Sequence, residues 1–248
     1  MNNGFSRAGK AISPRTGRLI VLALAIVVAL LSLALAGLRD GAGATESRAV
    51  KTVVLGQSGN MPDPACPSTP CQVVASVSGF QVRTSSSNTP FRVPFNGKLT
   101  RFTLYLGKPN NVDRTALNDR FGRPPQAAIT VLKKFQTSDG QEKFRLLRKS
   151  PVEGLSQELG TTAQFRLDKP LNVMKGNYVA LAVPTWAPVF ALGLNTDSNR
   201  WRASRQPGKC SSAFIDEAAP QLKVDSRRFY GCTFRGSRLL YTATVTSG

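Results

Sequence analysis

The chain has 248 residues, with 33 Lys and Arg, 14 Asp and Glu, a net charge of +19 and no histidine. The absence of histidine removes the commonest general base and metal ligand, which excludes a Ser-His-Asp hydrolase, a Cys-His protease and a His-ligated zinc site. Apolar residues make up 41% of the chain and charged residues 19%, which indicates a folded protein rather than a disordered one.

The first 38 residues have the pattern of an export signal or a membrane anchor. Residues 1–18 carry four basic side chains and no acidic one, and residues 19–38 form an uncharged apolar run. Twenty helical residues span about 30 Å, which is the thickness of a bilayer core. Because a basic flank stays in the cytoplasm, we expect the C-terminal bulk of the chain on the other side of the membrane.

Two fates of this apolar helix stay open. Its length exceeds the about 7–15 apolar residues of a signal peptide, which favours a retained single-pass anchor in the cell membrane. The small residues of Ala34-Leu35-Ala36 and Ala42-Gly43-Ala44 instead fit a signal-peptidase site, whose cleavage would yield a secreted protein. Both fates predict that the folded domain is extracytoplasmic.

The rest of the chain divides into a linker and one domain. Residues 39–70 are rich in Gly, Ala, Ser and Pro, which predicts an extracytoplasmic linker with one candidate strand at Lys51–Leu55. Residues 71–248 have the alternation of an all-β domain, since Phe102, Leu104 and Leu106 are separated by single residues that are mostly polar. Turn signals separate the apolar runs, at Asn96-Gly97, Asp139-Gly140 and Lys175-Gly176-Asn177.

Ten short runs are candidate strands, and about ten strands with turn signals between them indicate a sandwich or barrel. The candidate strands are Gln72–Val77, Phe80–Arg83, Phe91–Phe95, Thr100–Leu106, Ala127–Phe135, Lys143–Lys149, Thr162–Leu167, Tyr178–Val183, Val189–Leu194 and Arg238–Thr246. Two short segments, Val112–Phe121 and Ser212–Ala219, suggest helix.

The four cysteines, Cys66, Cys71, Cys210 and Cys232, permit three pairings. Proximity in the sequence favours the disulfides Cys66–Cys71 and Cys210–Cys232, and an oxidising compartment favours disulfides in general. The alternative is a Cys₄ metal site, but the spacing does not match paired C-x-x-C motifs.

Four segments carry a resemblance to a known architecture: residues 91–97, 99–106, 171–181 and 238–245. Their order resembles that of jelly-roll sandwiches found in exported bacterial proteins and in carbohydrate-binding modules. The resemblance implies a jelly-roll-like antiparallel β-sandwich, here preceded by one N-terminal transmembrane or signal helix. It rests on architecture and not on a catalytic motif, so it supports the fold more than the function.

Arginine and aromatic residues alternate between Asn199 and Cys232. Aromatic rings stack on sugars or bases, and guanidinium groups pair with carboxylate or phosphate. Outside the first 44 residues, 28 basic and 13 acidic side chains leave a balance of +15. We therefore predict binding of an anionic or glycan polymer of the cell envelope, through Arg200, Trp201, Arg202, Arg227 and Arg228. The alternative is that the rings form a small satellite core and the arginines are only solvated.

Trp186 lies between Pro184 and Pro188 at a rigid corner. It is either a further ligand-stacking residue or a ring that packs onto the core.

Carboxylates are sparse, and no enzyme motif is present. Asp216, Glu217 and Asp225 lack the pattern of a glycosidase pair or a calcium loop, and phosphate-binding glycine loops and G-x-S-x-G are absent. We therefore predict a non-enzymatic envelope protein without cofactor or metal and without specific nucleic-acid binding. The alternatives are a structural or interaction subunit of an envelope complex, and a hydrolase or lyase that works without histidine. The oligomeric state stays open.

Overall fold

The computed structural model describes residues 49–57, 59–68, 70–137 and 142–248. The predicted basic segment 1–18, the apolar helix 19–38, the first ten linker residues 39–48 and the Asp139-Gly140 turn lie outside these residues. Within the described ranges no helix has the length and apolarity needed to cross a membrane.

The described chain is all-β, as predicted, and its strands form antiparallel sheets. The strands are β1 Thr52–Leu55, β2 Val74–Arg83, β3 Gly97–Tyr105, β4 Gln126–Gln136, β5 Glu142–Lys149, β6 Glu153–Gly154, β7 Thr162–Val173, β8 Tyr178–Ala187, β9 Phe190–Ala191, β10 Arg200–Ala203, β11 Arg227–Phe229, β12 Cys232–Arg235, β13 Arg238–Leu239 and β14 Tyr241–Ser247. Helix α1 spans Asn111–Phe121, and a 3₁₀ helix spans Ser212–Glu217, so both segments with helical character are confirmed.

Two sheets make up most of the domain. The four-stranded sheet has the order β1-β14-β3-β7. The eight-stranded sheet has the order β11-β5-β4-β8-β2-β10-β12, with β6 paired to β4, and it curves into a half-barrel. The Tyr241 hydroxyl on β14 donates to the Val179 carbonyl on β8 at 3.0 Å, which ties the two sheets together through a buried hydrogen bond.

The alternation predicted for the strand around Phe102 is confirmed. Leu99, Phe102 and Leu104 are fully buried in β3, and Lys98 and Arg101 between them are exposed. Leu99 and Phe102 are three positions apart, so strict alternation would place them on opposite faces of the strand. A register shift between Leu99 and Arg101 brings both to the buried face.

The expected hairpin at Asn96-Gly97 is wrong. Residues 91–95 form no strand, and Gly97 starts β3 between Ser247 of β14 and Val173 of β7. A Cβ atom on Gly97 would lie 2.1 Å from the Thr246 carbonyl oxygen. This position therefore requires glycine because two backbones approach closely, and not because a turn needs positive φ.

Of three further expectations about local structure, two are changed and one is confirmed. The candidate strands 72–77 and 80–83 form the single strand β2, which bulges at Ser76 with φ 50°. Of the candidate strand 189–194, only β9 forms. The turn before β8 is confirmed, with Gly176 at φ 88°.

Segment 50–70, interpreted as linker from its composition, is part of the compact unit Val50–Gly248. Its candidate strand is present as β1, an edge strand that pairs with β14, and Leu55 is buried in the core. Both predicted disulfides are formed, Cys66–Cys71 and Cys210–Cys232.

The chain between β8 and β14 wraps the eight-stranded sheet. It adds β10 and β12 at one edge of that sheet and β11 at the other. Between them, residues 204–231, here called the covering segment, pack on the sheet face that carries Ser78 and Phe80. Gln221 holds it there, since its backbone N–H donates to the Ser78 hydroxyl at 2.8 Å and its Nε2 donates to the Phe144 carbonyl at 3.0 Å.

Four aromatic rings fill the space beneath the covering segment. Phe80 lies 5.1–5.4 Å from Phe144, Tyr178 and Tyr230, measured between ring centroids. We call these four residues the Phe80 cluster. The buried Tyr230 hydroxyl donates to Gln221 Oε1 at 3.1 Å, so its polar atom is satisfied. Trp201 and Tyr230 of the Arg-rich stretch are therefore packed inside, but as part of the main hydrophobic core and not as the separate satellite core left open from the sequence.

Candidate functional site

Trp186 is completely buried. Its indole N–H donates to Asn118 Oδ1 on α1 at 3.1 Å, so the ring packs between β8 and the helix. The packing alternative for Trp186 is the one that the structure shows, and the ring presents no face to a ligand.

The other residues singled out from the sequence do not converge on one groove. On β10, Trp201 is buried, and the arginines before and after it point to the opposite face. Arg200 pairs with Asp197 at 3.5 Å, and Arg228 Nη1 donates to the Ala219 carbonyl at 3.1 Å. Arg202 lies against Glu142 and Arg227 lies over Phe135, on opposite faces of the sheet near the free ends of β4 and β5.

Two adjoining depressions lie around these strand ends and are here called the basic groove. The first, of about 540 Å³, is lined by basic and aromatic side chains around the N-terminal end of β8: Arg92, Lys133, Lys134, Phe135, Lys175 and Tyr178. The second, of about 680 Å³, is lined by Glu142, Arg202, Gln206, Pro207, Phe229 and Gly231. An ion pair between Lys134 and Glu142 joins the two depressions.

The first depression exists because the end of β4 extends past the start of β8. Strand β4 pairs with β8 only as far as Leu132 and Tyr178, so Lys133 and Lys134 extend past the start of β8. The turn before β8 lies beside Lys133 and Lys134, where β8 itself has not yet begun. Its Lys175 N–H donates to Asn96 Oδ1 at 2.8 Å. Two segments far apart in sequence thus present their lysines to the same space.

Cations lie over aromatic rings along the groove. The Arg227 guanidinium lies 5.0 Å from the centroid of Phe135, and the Lys143 ammonium lies 4.3 Å from the centroid of Phe229. Such contacts hold cationic side chains over ring faces and leave their outer side open to solvent. These cations lie on both faces of the sheet around the free ends of β4 and β5. Lys134 and Arg202 share the face of Glu142, and Lys133, Lys143 and Arg227 share the face of Phe135 and Phe229. With Arg92 and Lys175 of the first depression they make seven cations.

Glu142 is the one carboxylate among the described residues that line the groove. The hydrogen bond from Lys134 lowers the pKa of Glu142, and the hydrogen bond from Arg202, at 2.6 Å, adds to this against the opposing effect of burial. Arg202 is held in turn by a bond from its Nε to the Tyr230 carbonyl at 2.7 Å. The carboxylate therefore stays ionised, and its two cationic partners neutralise it.

Replacing Glu142 by glutamine should destabilise the protein by about 1 kcal/mol at neutral pH, because two charge-assisted hydrogen bonds at a partly exposed site weaken. The folded-state pKa of Glu142 lies below the unfolded-state value, so this stabilisation is complete above the ordinary carboxyl pKa and is lost as the pH falls through the lowered value. Urea unfolding at pH 7 and at about pH 3 measures it. A difference between wild type and Glu142→Gln that is unchanged at the lower pH would contradict the assignment.

A second, apolar cavity of about 380 Å³ lies beside the Cys210–Cys232 disulfide. Its walls are mainly aliphatic and aromatic side chains: Val74, Val77, Phe190, Leu192, Trp201, Ile215 and Phe234. The Trp201 indole N–H donates to the Ser237 hydroxyl at 3.1 Å. Two arginines, Arg205 and Arg235, also line this cavity.

The acidic residues considered as enzymatic or calcium-binding candidates do not form one centre. Glu217 pairs with Lys209, and Asp225 pairs with Arg145 at 2.7 Å. Within the described ranges, no three His, Cys, Asp or Glu side chains are grouped so as to hold a metal ion.

Sequence reasoning missed the lysines and Arg92 of the basic groove. A local signal exists at Lys133-Lys134-Phe135, where two adjacent cations precede an aromatic residue near the end of a strand. That signal does not show which other segments meet it, because the partners at positions 92, 175 and 227 are brought in by the topology of the sheets.

No protein-family model matches the chain, and no curated protein or solved structure is significantly similar to it.

Proposed function

We propose that the chain is a non-enzymatic, extracytoplasmic β-sandwich of the cell envelope that binds an anionic glycan polymer along the basic groove. The observation that carries the proposal is the clustering of seven cations and three aromatic rings around the free ends of β4 and β5, where the only carboxylate among the described lining residues is already neutralised. The two disulfides support an oxidising location, and the uncharged run at residues 19–38 supports a route across a membrane.

The charge of the groove is available to a ligand. Arg92, Lys133, Lys175 and Arg227 are exposed, and no carboxylate of the described chain lies within 4 Å of their charged nitrogens. A polymer with regularly spaced carboxylate or phosphate groups gains several such contacts at once. The rings of Phe135 and Phe229 supply apolar surface for the sugar units between those groups.

We further propose a jelly-roll arrangement for this sandwich. Eight of its strands support it: the order β1-β14-β3-β7 in one sheet and β5-β4-β8-β2 in the other, with the chain crossing repeatedly between the two sheets. Two interleaved four-stranded sheets of this kind are the arrangement of jelly rolls. In this reading, residues 188–240 are an insertion before the last strand.

Binding is tested by salt elution from heparin resin and by pull-down with purified cell wall. The triple variant Lys133→Ala/Lys175→Ala/Arg227→Ala removes three exposed cations of the groove. At about 0.5–1 kcal/mol for each ion pair, affinity should fall roughly ten- to hundredfold, and elution should shift to markedly lower salt.

The matched control is Lys98→Ala/Arg101→Ala/Arg166→Ala, which removes the same charge from exposed positions on β3 and β7 of the four-stranded sheet. The control should elute close to wild type. Equal elution of the two triple variants would show that net charge alone causes retention, and it would overturn the groove as the binding site.

A further inference from the structure

The apolar cavity differs in chemistry from the basic groove. Val74, Val77, Leu192 and Ile215 contribute aliphatic surface, and Ser212 and Ile215 come from the short helix that follows Cys210. The Cys210–Cys232 disulfide anchors that helix to β12. A volume of about 380 Å³ falls within the range of roughly 300–1,000 Å³ found for small-molecule sites.

The rings in this cavity have no free face for stacking. Phe234 on β12 stacks on Trp201 with centroids 4.8 Å apart and planes 25° apart. On the opposite side of β10, the backbone of Gly79 on β2 lies so close that a Cβ there would be 2.8 Å from the indole ring. Phe190 meets the indole edge-on at 5.8 Å. A sugar or base therefore cannot stack on Trp201, but a flexible alkyl chain can lie against the ring edges and the aliphatic walls.

The cavity also contains cationic groups. Arg205 Nη1 donates to the backbone carbonyl of Ser211 at 3.3 Å and to that of Cys210 at 3.5 Å, and no carboxylate of the described chain pairs with it. Its Nε is buried without a hydrogen-bond partner among the described residues. Burial lowers the pKa of Arg205, which is the mark of a cation that has lost water without gaining a counter-charge. Arg235 is exposed at the rim of the same cavity, where its long side chain leaves edge strand β12 from the face opposite Phe234 and can turn over the strand edge.

We propose that this cavity binds a single-chain fatty-acid-like carboxylate. The alkyl chain lies between Val74, Val77 and Ile215, and the carboxylate lies beside Arg205 and Arg235. The aliphatic side chains give the alkyl chain of the ligand apolar contacts, and the two arginines complement the charge of one anionic head group. This site is separate from the basic groove and does not depend on the function proposed for it.

The probe is a series of free carboxylates from hexanoate to decanoate, used below micelle-forming concentration, with decanol as the uncharged analogue. Affinity should rise roughly fourfold for each added methylene until the cavity is filled, and decanol should bind more weakly than decanoate. The chain has two tryptophans, and Trp186 is remote at α1, so the variant Trp186→Phe leaves Trp201 as the fluorescent reporter. Calorimetry on the wild-type protein gives the same affinities should that variant fail to fold.

Charge reversal at Arg235 separates head-group recognition from general hydrophobic binding. Arg235→Glu should weaken decanoate on the order of tenfold and leave decanol within about twofold. The triple variant of the basic groove is the matched control and should bind decanoate like wild type. The proposal is overturned by the absence of saturable binding, or by equal loss of decanoate and decanol in Arg235→Glu.

Discussion

Replacing Phe144 by alanine should lower the free energy of unfolding by about 3–5 kcal/mol. Phe144 is 1% exposed and lies at the centre of the Phe80 cluster, 5.0 Å from the ring of Tyr230 and 5.5 Å from that of Tyr178. As a residue of β5 it packs on Phe80 and Tyr178 of the eight-stranded sheet on one side and on Tyr230 of the covering segment on the other. The truncation removes apolar contacts from both and leaves a cavity that neither side can fill without moving.

Urea unfolding at neutral pH measures this loss, with the slope compared between variants to check that cooperativity is kept. Phe144→Leu retains most of the volume and should lose less than about 1.5 kcal/mol. Phe121→Ala is the matched control, because Phe121 ends α1 and is half-buried outside the core cluster. Similar losses for Phe144→Ala and Phe121→Ala would contradict a tightly packed core beneath the covering segment.

Removing the Cys210–Cys232 disulfide, as Cys210→Ser/Cys232→Ser, should cost about 3 kcal/mol. The two cysteines are 22 residues apart, and in the chain-entropy model this is the loss of loop closure that the unfolded chain regains. Most of the covering segment lies within this loop. The segment is also held by the hydrogen bonds of Gln221 and Tyr230, which are noncovalent. The disulfide is the covalent bond that keeps the covering segment against the eight-stranded sheet.

The comparison variant is Cys66→Ser/Cys71→Ser. Its cysteines are only 5 residues apart, and the same model predicts a smaller loss of about 2 kcal/mol. Equilibrium unfolding of both double variants under oxidising conditions tests the ranking. A larger loss at the short loop than at the long one would show that packing of the individual sulfurs, and not constraint of the covering segment, decides their contribution.

Local patterns predicted much of the fold. The alternation at Phe102 and Leu104 predicted β3, because burial of one face imposes a period on neighbouring residues. The segments Val112–Phe121 and Ser212–Ala219 predicted the two helical elements, although neither element buries a residue. A local sequence signal gave a wrong prediction where two different physical causes can produce the same residues. Asn96-Gly97 suits a hairpin turn, but its glycine serves the approach of the Thr246 backbone 149 positions later in the chain.

The site was less predictable than the fold. The prediction included Arg202 and Arg227, which border the basic groove, and it also included residues that do not: Arg200, Arg228, Trp201 and Trp186. Trp201 and Trp186 are buried, because a large ring gains more from the core than from solvent unless a ligand is present. Composition indicates that rings and guanidinium groups are abundant, but it does not show on which side of a strand each one lies.

The sequence by itself determined that this is an all-β domain with two disulfides and a strong positive charge. Those properties follow from periodicity, from the nearness of cysteines along the chain and from a count of ionisable groups. Only the tertiary structure decided which cations act together, because the order of strands brings positions 92, 133, 175 and 227 to one surface. Electrostatic attraction depends on distance in space, and antiparallel pairing between remote strands sets those distances.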